Sequence, residues 1–184
     1  MAELIREYRA GDEEAVVRLS LRAWAPVFLS LSQILGREIS GLLHGDWRRY
    51  QENAVRAVLA DRAVRVWVAG TGVAAGAGAA AETAVAAGTA VAAGTGAAVT
   101  GFVAATVHAD RLIGEITMLA VDPAAQDRGT GTALTEFATA WLRDAGMRIA
   151  MVETGGDDGH AAGRRVYEKA DYVLLPVARY FRAL

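Results

Sequence analysis

The stretch that most constrains this chain is "MLAVDPAAQDRGTGTALTEFATAWLRDAGM", residues 118–147, where a strand-like segment passes through a short polar loop into a helix-like one. Leu112–Asp122 reads as a strand. After the loop, Ala133, Leu134, Phe137, Ala138, Trp141 and Leu142 recur at helical spacing, Arg143 sits in the last turn and Gly146 is a C-terminal stop. The loop between them spells Gln126-x-x-Gly129-x-Gly131. Glycines at a helix start let backbone approach a ligand, and the first N–H groups of a helix have no partner inside it. Together with the helix dipole they make a seat for phosphate oxygens. The same pattern also serves a plain tight turn. It is not a nucleotide P-loop, because no Gly-Lys-Ser/Thr follows.

Around this unit the chain reads as a mixed α/β domain. Leu4–Arg9 is a short strand, and Gly11-Asp12-Glu13-Glu14 opens a helix that runs towards Trp24 and Pro26. Asp12 can cap that helix, and the two glutamates suit its positive end. A second helix lies in "DWRRYQENAVRAVLAD", with Trp47, Tyr50, Ala54 and Val58 on one stripe. Strands follow at Ala63–Gly70, Gly101–Ala109 and Leu112–Asp122, then the glycine-led helix and a strand at Met147–Thr154. A helix over His160–Lys169 and a strand pair in Tyr172–Phe181 close the order β, α, α, β, β, β, α, β, α, β, β.

Residues 70–100 interrupt this order with Gly, Ala, Val and Thr, Glu82 being the only charge. From Trp67 they fall into hexads, WVAGTG, VAAGAG, AAAETA, VAAGTA and VAAGTG. A hexad β-helix would need bulky aliphatics that these units lack, and a membrane span would need more apolar energy than Ala and Gly supply. The expectation is a flexible expansion of one hairpin connection within a single domain, residues 1–184. Lengthening a turn from ~5 to ~30 residues adds only about 1.6 kcal/mol of closure entropy.

Composition excludes several chemistries. Cysteine is absent, so there is no disulfide, no cysteine-ligated zinc and no cysteinyl acyl-enzyme. A net charge of −2 supplies no basic field for nucleic acid. The charged start, with Glu3, Arg6, Glu7 and Arg9, does not fit a signal peptide, so the expectation is a cytoplasmic protein without a membrane partner. His44 and His108 lack metal-ligand spacing, and no metal site is expected.

Taken together, the strand "MLAVDP", the Q-x-x-G-x-G loop and the helix ending in "WLRDAGM" resemble the acyl-CoA binding motif of the GNAT superfamily of N-acyltransferases. "HAAGRRVYEKADY" resembles that superfamily's last helix, and "IREYRAGDEEAVVRL" its first strand and helix. The resemblance implies the GNAT fold: a mixed, mostly antiparallel central sheet flanked by helices, here with an extended low-complexity hairpin loop. It implies acetyl-CoA as co-substrate, its pyrophosphate held by backbone of Gln126, Asp127, Arg128, Gly129, Thr130, Gly131 and Thr132. The pantetheine arm would pair with main-chain groups around Leu119, Ala120 and Val121, where the fourth and fifth strands splay apart. Tyr167 stands where the family places the acid for the leaving thiolate, and Glu115 where some branches keep a base. Glu153 and an ordered water relay are the rival bases. His160 replaces the usual Asn and could cap its helix or donate to the cofactor, while Asp171 replaces a Gly that often needs a left-handed backbone.

The activity implied is direct transfer of acetyl to a primary amine of a small molecule or peptide in a ternary complex. An alkyl ammonium of pKa about 10 must first lose a proton, whereas a thiolate of pKa about 8.5 leaves readily. A second class stays open: an acyl-CoA-binding sensor or interaction module without turnover. Trp24, Val27 and Phe28 offer apolar and aromatic surface in the Arg22–Gly36 region, which is expected to choose the acceptor together with the last hairpin. Oligomeric state is open, a homodimer included.

Overall fold

The computed structural model describes residues 4–71 and 98–184. Five strands form one sheet in the order β1 (Leu4–Glu7), β2 (Arg65–Thr71), β3 (Ala98–His108), β4 (Ile113–Val121) and β5 (Ile149–Val152). The first three junctions are antiparallel and β4 pairs with β5 in parallel. This is the mixed, mostly antiparallel sheet flanked by helices that the sequence implied. β2 and β3 are the two arms of one hairpin, from Arg65↔Ala105 to Thr71↔Ala98. Residues 72–97 between them, which hold all but the first of the hexads, lie outside the described residues.

Alternation along the strands divides the core between two helical layers. One face carries Trp67, Ala69, Val103, Ala105 and Ile116, buried under Leu134, Ala138 and Leu142 of α3 (Thr130–Asp144). The other carries Val68, Phe102 and Ala120, buried under Val16, Val17 and Leu19 of α1 (Glu13–His44) and Val55 of α2 (Trp47–Ala60). Gly101 marks the closest approach of α3. A Cβ there would stand 2.9 Å from Leu134 Cδ1, 3.0 Å from the Ala120 oxygen and 3.3 Å from Thr130 Cγ2. Gly101→Val is therefore expected to lower Tm by roughly 4–8 °C, the overpacking being worth about 2 kcal/mol. An unchanged melting curve would contradict this packing.

β4 carries an extra residue. Ala105 pairs with Ile116 but Ala104 with Met118, which leaves Thr117 as a bulge whose hydroxyl donates to the Ala104 oxygen at 3.2 Å. Ile116 packs under α3, whereas Met118 and Ala120 pack on the α1 side and Leu119 and Val121 on the α3 side. The bulge has reversed the strand's facing.

The first helix departs from expectation. It runs through Pro26 to His44, broken in direction only at Gly36 (φ 74°, ψ 168°), so the acceptor-side region Arg22–Gly36 is helix and not loop. Pro26 removes one helix hydrogen bond, but Val27 and Phe28, both buried, hold the following turn in place. The stretch Ala10–His44 is long and apolar enough, by length and composition, to cross a membrane. Here its apolar residues Val16, Val17 and Leu19 belong to the core. Asp12 does not cap this helix; its carboxylate takes two bonds of 2.7 Å from Arg6 and one of 2.9 Å from the Arg9 N–H. Glu13 and Glu14 meet Arg56 of α2 and tie the two helices together. The buried stripe of α2 centres on Gln51 and Val55, one position round from the one expected; Tyr50 is half exposed.

The closing strand pair in Tyr172–Phe181 does not form. After α4 (Ala161–Lys169) the chain reverses at Asp171, whose φ is 61°, and Tyr172 docks on α3 through its hydroxyl and that of Thr139, 2.8 Å apart. No backbone hydrogen bond joins residues 173–184 to another described residue, and Val173, Leu174, Leu175, Val177 and Tyr180 are exposed. The segment has a strand's composition but no described strand lies alongside it.

Candidate active site

The last rung of the β4–β5 ladder joins Ile116 and Val152. Beyond it the two strands part, and a cavity of about 470 Å³ opens against the C-terminal half of β4. That is the size of a small-ligand site. One wall is Ile116–Val121; α1 adds Ala23, Trp24 and Val27, and α2 adds Gln51. The opposite wall comes from Glu153, Thr154, His160 and the α4 residues Arg165 to Tyr167.

The glycine loop closes one end. β4 finishes at Val121 and Asp122 caps a short 3-10 turn, Pro123–Ala125, by accepting from the Ala124 N–H at 2.9 Å. Arg22 of α1 is hydrogen bonded to the same carboxylate, the main cause holding it below its ordinary range, with the Ala124 bond adding to this against burial. Gln126 then donates its side-chain amide to the Val121 oxygen at 3.1 Å, tying the loop back to the strand. Asp127 (φ 60°) and Gly129 (φ 89°) are both left-handed, and the chain enters α3 with Gly129 as an N-cap that offers no side chain. The first helical hydrogen bond at that end runs from Ala133 N–H to the Gly129 oxygen, so the N–H groups of Thr130, Gly131 and Thr132 face outward without helical partners. A Cβ on Gly131 would press on Val166 of α4 at 3.2 Å, so the first turn of α3 sits tight against that helix.

Leu119, Ala120, Val121, Gln126, Asp127, Gly129, Gly131, Thr132, His160 and Tyr167 all line this one cavity. Arg128 and Thr130 do not; Thr130 is buried, its hydroxyl directed to the Ala125 oxygen at 3.5 Å. Glu115 lies elsewhere. It precedes the bulge and meets His108 Nε2 at 3.3 Å, outside the cavity lining. Glu153 is on the wall, but its carboxylate takes a bond of 2.8 Å from Arg179. Trp24 and Val27 face the cavity, whereas Phe28 is spent on stacking with Trp47 at 4.8 Å. His160 does not cap α4; its Nδ1 meets Asp157 Oδ1 at 2.5 Å.

Two cavity features were missed in the sequence. Gln51 is 4% exposed, and its Nε2 has no hydrogen-bond partner; its signal was a polar residue at the centre of the apolar stripe Gln51–Val55. Asp157 and Ser30, which hold His160 in place, sit in "TGGDDGH" and in the middle of α1.

Burial first, and Tyr172 beside it second, push the Tyr167 phenol up to about 12. The two rings lie 6.0 Å apart. Tyr167 therefore keeps its proton throughout the neutral range. With a folded pKa above the unfolded value, its contribution to stability is complete below about pH 10 and is lost as pH rises towards 12. Spectrophotometric titration should show a tyrosine step near pH 12 that Tyr167→Phe removes; a normal value for that step would contradict its burial.

A mixed sheet between two helical layers, whose fourth and fifth strands part in front of a glycine-led helix start, is the frame of the GNAT fold. The chain belongs to the GNAT acetyltransferase family, whose sequence model, described as Acetyltransferase (GNAT) family, matches residues 47–172. It is 36% identical over 89 residues to a mycothiol acetyltransferase of Rhodococcus erythropolis, covering 46% of this chain and 29% of that one. It is 40% identical over 65 residues to a mycothiol acetyltransferase of Cellulomonas flavigena, covering 35% and 18%. The chain thus matches under a third of the length of these relatives. The structure of PaiA N-acetyltransferase from Thermoplasma acidophilum in complex with coenzyme A superposes with a TM-score of 0.60 at 15% identity, over 92% of this chain and 89% of that one. That likeness concerns the fold.

Proposed function

We propose that the protein transfers an acetyl group from acetyl-CoA to a primary amine by direct attack in a ternary complex. The observation that carries this reading is the meeting, in one cavity, of the parted β4–β5 edge and the uncapped start of α3. The backbone N–H groups from Gln126 to Thr132 would hold the pyrophosphate. Main-chain groups of Leu119 and Val121, which have no partner in β5, would take the pantetheine arm as if it were an added strand. Tyr167, protonated at neutral pH, gives its proton to the departing sulfur. Glu115, paired with His108 away from the cavity, is assigned no part in the chemistry.

The acceptor enters between α1 and α2, past Trp24, Val27 and Gln51. That wall is apolar with one unsatisfied amide and no cluster of carboxylates, which suits a small amine better than a polycation. The names of the two curated relatives also favour a small-molecule acceptor. Calorimetric titration of acetyl-CoA, followed by thiol release with a panel of amines and mass analysis of the product, tests the reading. Binding with turnover is expected. Binding without turnover on any amine would mark a sensor, and no binding would remove the acetyl-CoA reading altogether.

A further inference from the structure

We propose that His160, held by Asp157, is the group that takes the proton from the acceptor amine. This rests on the acetyl-transfer reading and names the base that it requires.

The arrangement is built with many parts. His160 Nδ1 and Asp157 Oδ1 are 2.5 Å apart, the imidazole side chain 21% and the carboxylate 7% exposed. The other carboxylate oxygen accepts from the Gly159 N–H at 3.0 Å, and Ser30 of α1 also donates to this carboxyl group. Burial would raise Asp157, but the bonds from Ser30 and His160 outweigh it and hold the carboxyl below its ordinary value. Arg164 of α4 fixes the loop from behind, donating to the carbonyls of Gly155 and Asp157 at 2.6 Å each. Two glycines make the packing possible. A Cβ on Gly155 would collide with Asp157 Oδ1 and His160 Nδ1, and one on Gly159 with Val27 Cα, Asp157 Oδ2 and Ser30 Cβ.

An ionised Asp157 requires a proton on Nδ1 of the neutral ring, which leaves the lone pair on Nε2. Nε2 makes no hydrogen bond to a described residue, and the ring lines the cavity. The other ionisable groups on the wall do not serve. Glu153 is bonded to Arg179, Tyr167 keeps its proton, and Arg165 and Lys169 are cations. Asp127 lies in the glycine loop at the phosphate end. Of the groups around the ring, Asp157 touches it; α1 contributes the non-ionising Val27 and Ser30, β5 leads to Glu153, the loop adds Asp158, and α4 adds Arg164, Arg165, Tyr167 and Lys169.

The proton balance is simple. The substrate ammonium gives one proton to His160 Nε2, and the freed nitrogen pair attacks the thioester carbon. The C–N bond forms, the C–S bond breaks, and the sulfur leaves with the proton of Tyr167. The second proton lost by nitrogen re-protonates Tyr167 through solvent, and His160 releases the first one. Asp157 touches none of the reacting atoms and is a positioning residue.

The test uses the full chain, the variants His160→Asn and Asp157→Asn, and the best amine of the panel. His160→Asn is expected to lower kcat/KM about 100-fold or more while acetyl-CoA affinity stays within about twofold. Asp157→Asn should shift the acidic limb of the kcat/KM profile to lower pH, since a lost carboxylate makes imidazolium less stable. Imidazole 15N spectra need no turnover, and three histidines make the assignment simple. They should show His160 protonated at Nδ1 in the wild type, with Nε2–H gaining population in Asp157→Asn. The proposal is overturned if His160→Asn keeps wild-type turnover, if it loses acetyl-CoA affinity in proportion to its activity, or if Asp157→Asn leaves the profile unmoved. Wild-type protein that binds acetyl-CoA but acetylates nothing overturns the functional reading, and the proton-transfer role with it. A loss confined to the variants cannot be confused with that result.

Discussion

Gly129→Glu should reduce acetyl-CoA affinity by roughly 100-fold while leaving the protein folded. A Cβ at Gly129 meets nothing within 4 Å, so the side chain has room. The backbone there is left-handed, φ 89°, which costs a non-glycine residue about 1–2 kcal/mol. Part of that is returned, because a carboxylate at the start of α3 faces the positive end of the helix. For a pyrophosphate the sign reverses. At ~5 Å and an effective dielectric of ~20, a new negative charge beside an existing one costs about 3 kcal/mol. Gly129→Ala carries the same backbone strain without the charge and should lose far less affinity. The difference between the two variants should also shrink as salt is added. Calorimetry that finds equal affinity for Gly129→Glu and wild type would move the anion site away from this loop.

The second large effect is in the core. A Cβ on Gly114 would fall 2.3 Å from Leu142 Cδ2 and 2.8 Å from its Cγ, with all three close atoms belonging to that one side chain. Leu142 is 1% exposed and closes the end of the α3 layer. Leu142→Ala should cost about 3 kcal/mol, roughly 6–12 °C in Tm. Gly114→Ala should cost about 1–3 kcal/mol by forcing Leu142 aside. The double variant should be clearly more stable than the sum of the single costs, because the added methyl enters the space that Leu142 vacates. Strict additivity in thermal or denaturant unfolding would show that the two residues do not compete for one volume.

The period of the sequence was enough for α3, for both arms of the β2–β3 hairpin and for the glycine loop, because each is specified by its own residues. It was not enough where a neighbour decides. Tyr172–Phe181 alternates like a strand, but it makes no ladder with a described strand and is held by side chains, Tyr172 on Thr139 and Arg179 on Glu153. Pro26 looks like a helix stop until the buried pair Val27 and Phe28 is seen to hold the next turn. Glu115 is placed by resemblance alone, and a resemblance carries no information on its partner His108 at the end of β3. His160 offers either a helix cap or a donor to the cofactor from sequence; the cap does not form, and its partner Asp157 is defined by a loop that packs on α1 across more than a hundred residues of chain.

The bulge at Thr117 also settles what kind of change this cavity can absorb. Past it, the side chains of Met118 to Val121 are claimed by the two helical layers, and what β4 turns towards its missing neighbour is peptide N–H and C=O. A surface made of main chain carries no residue identity. Substitutions can drift through these four positions under the demands of packing alone, and the ligand-facing edge stays chemically the same. Only proline, which removes an N–H, can rewrite it.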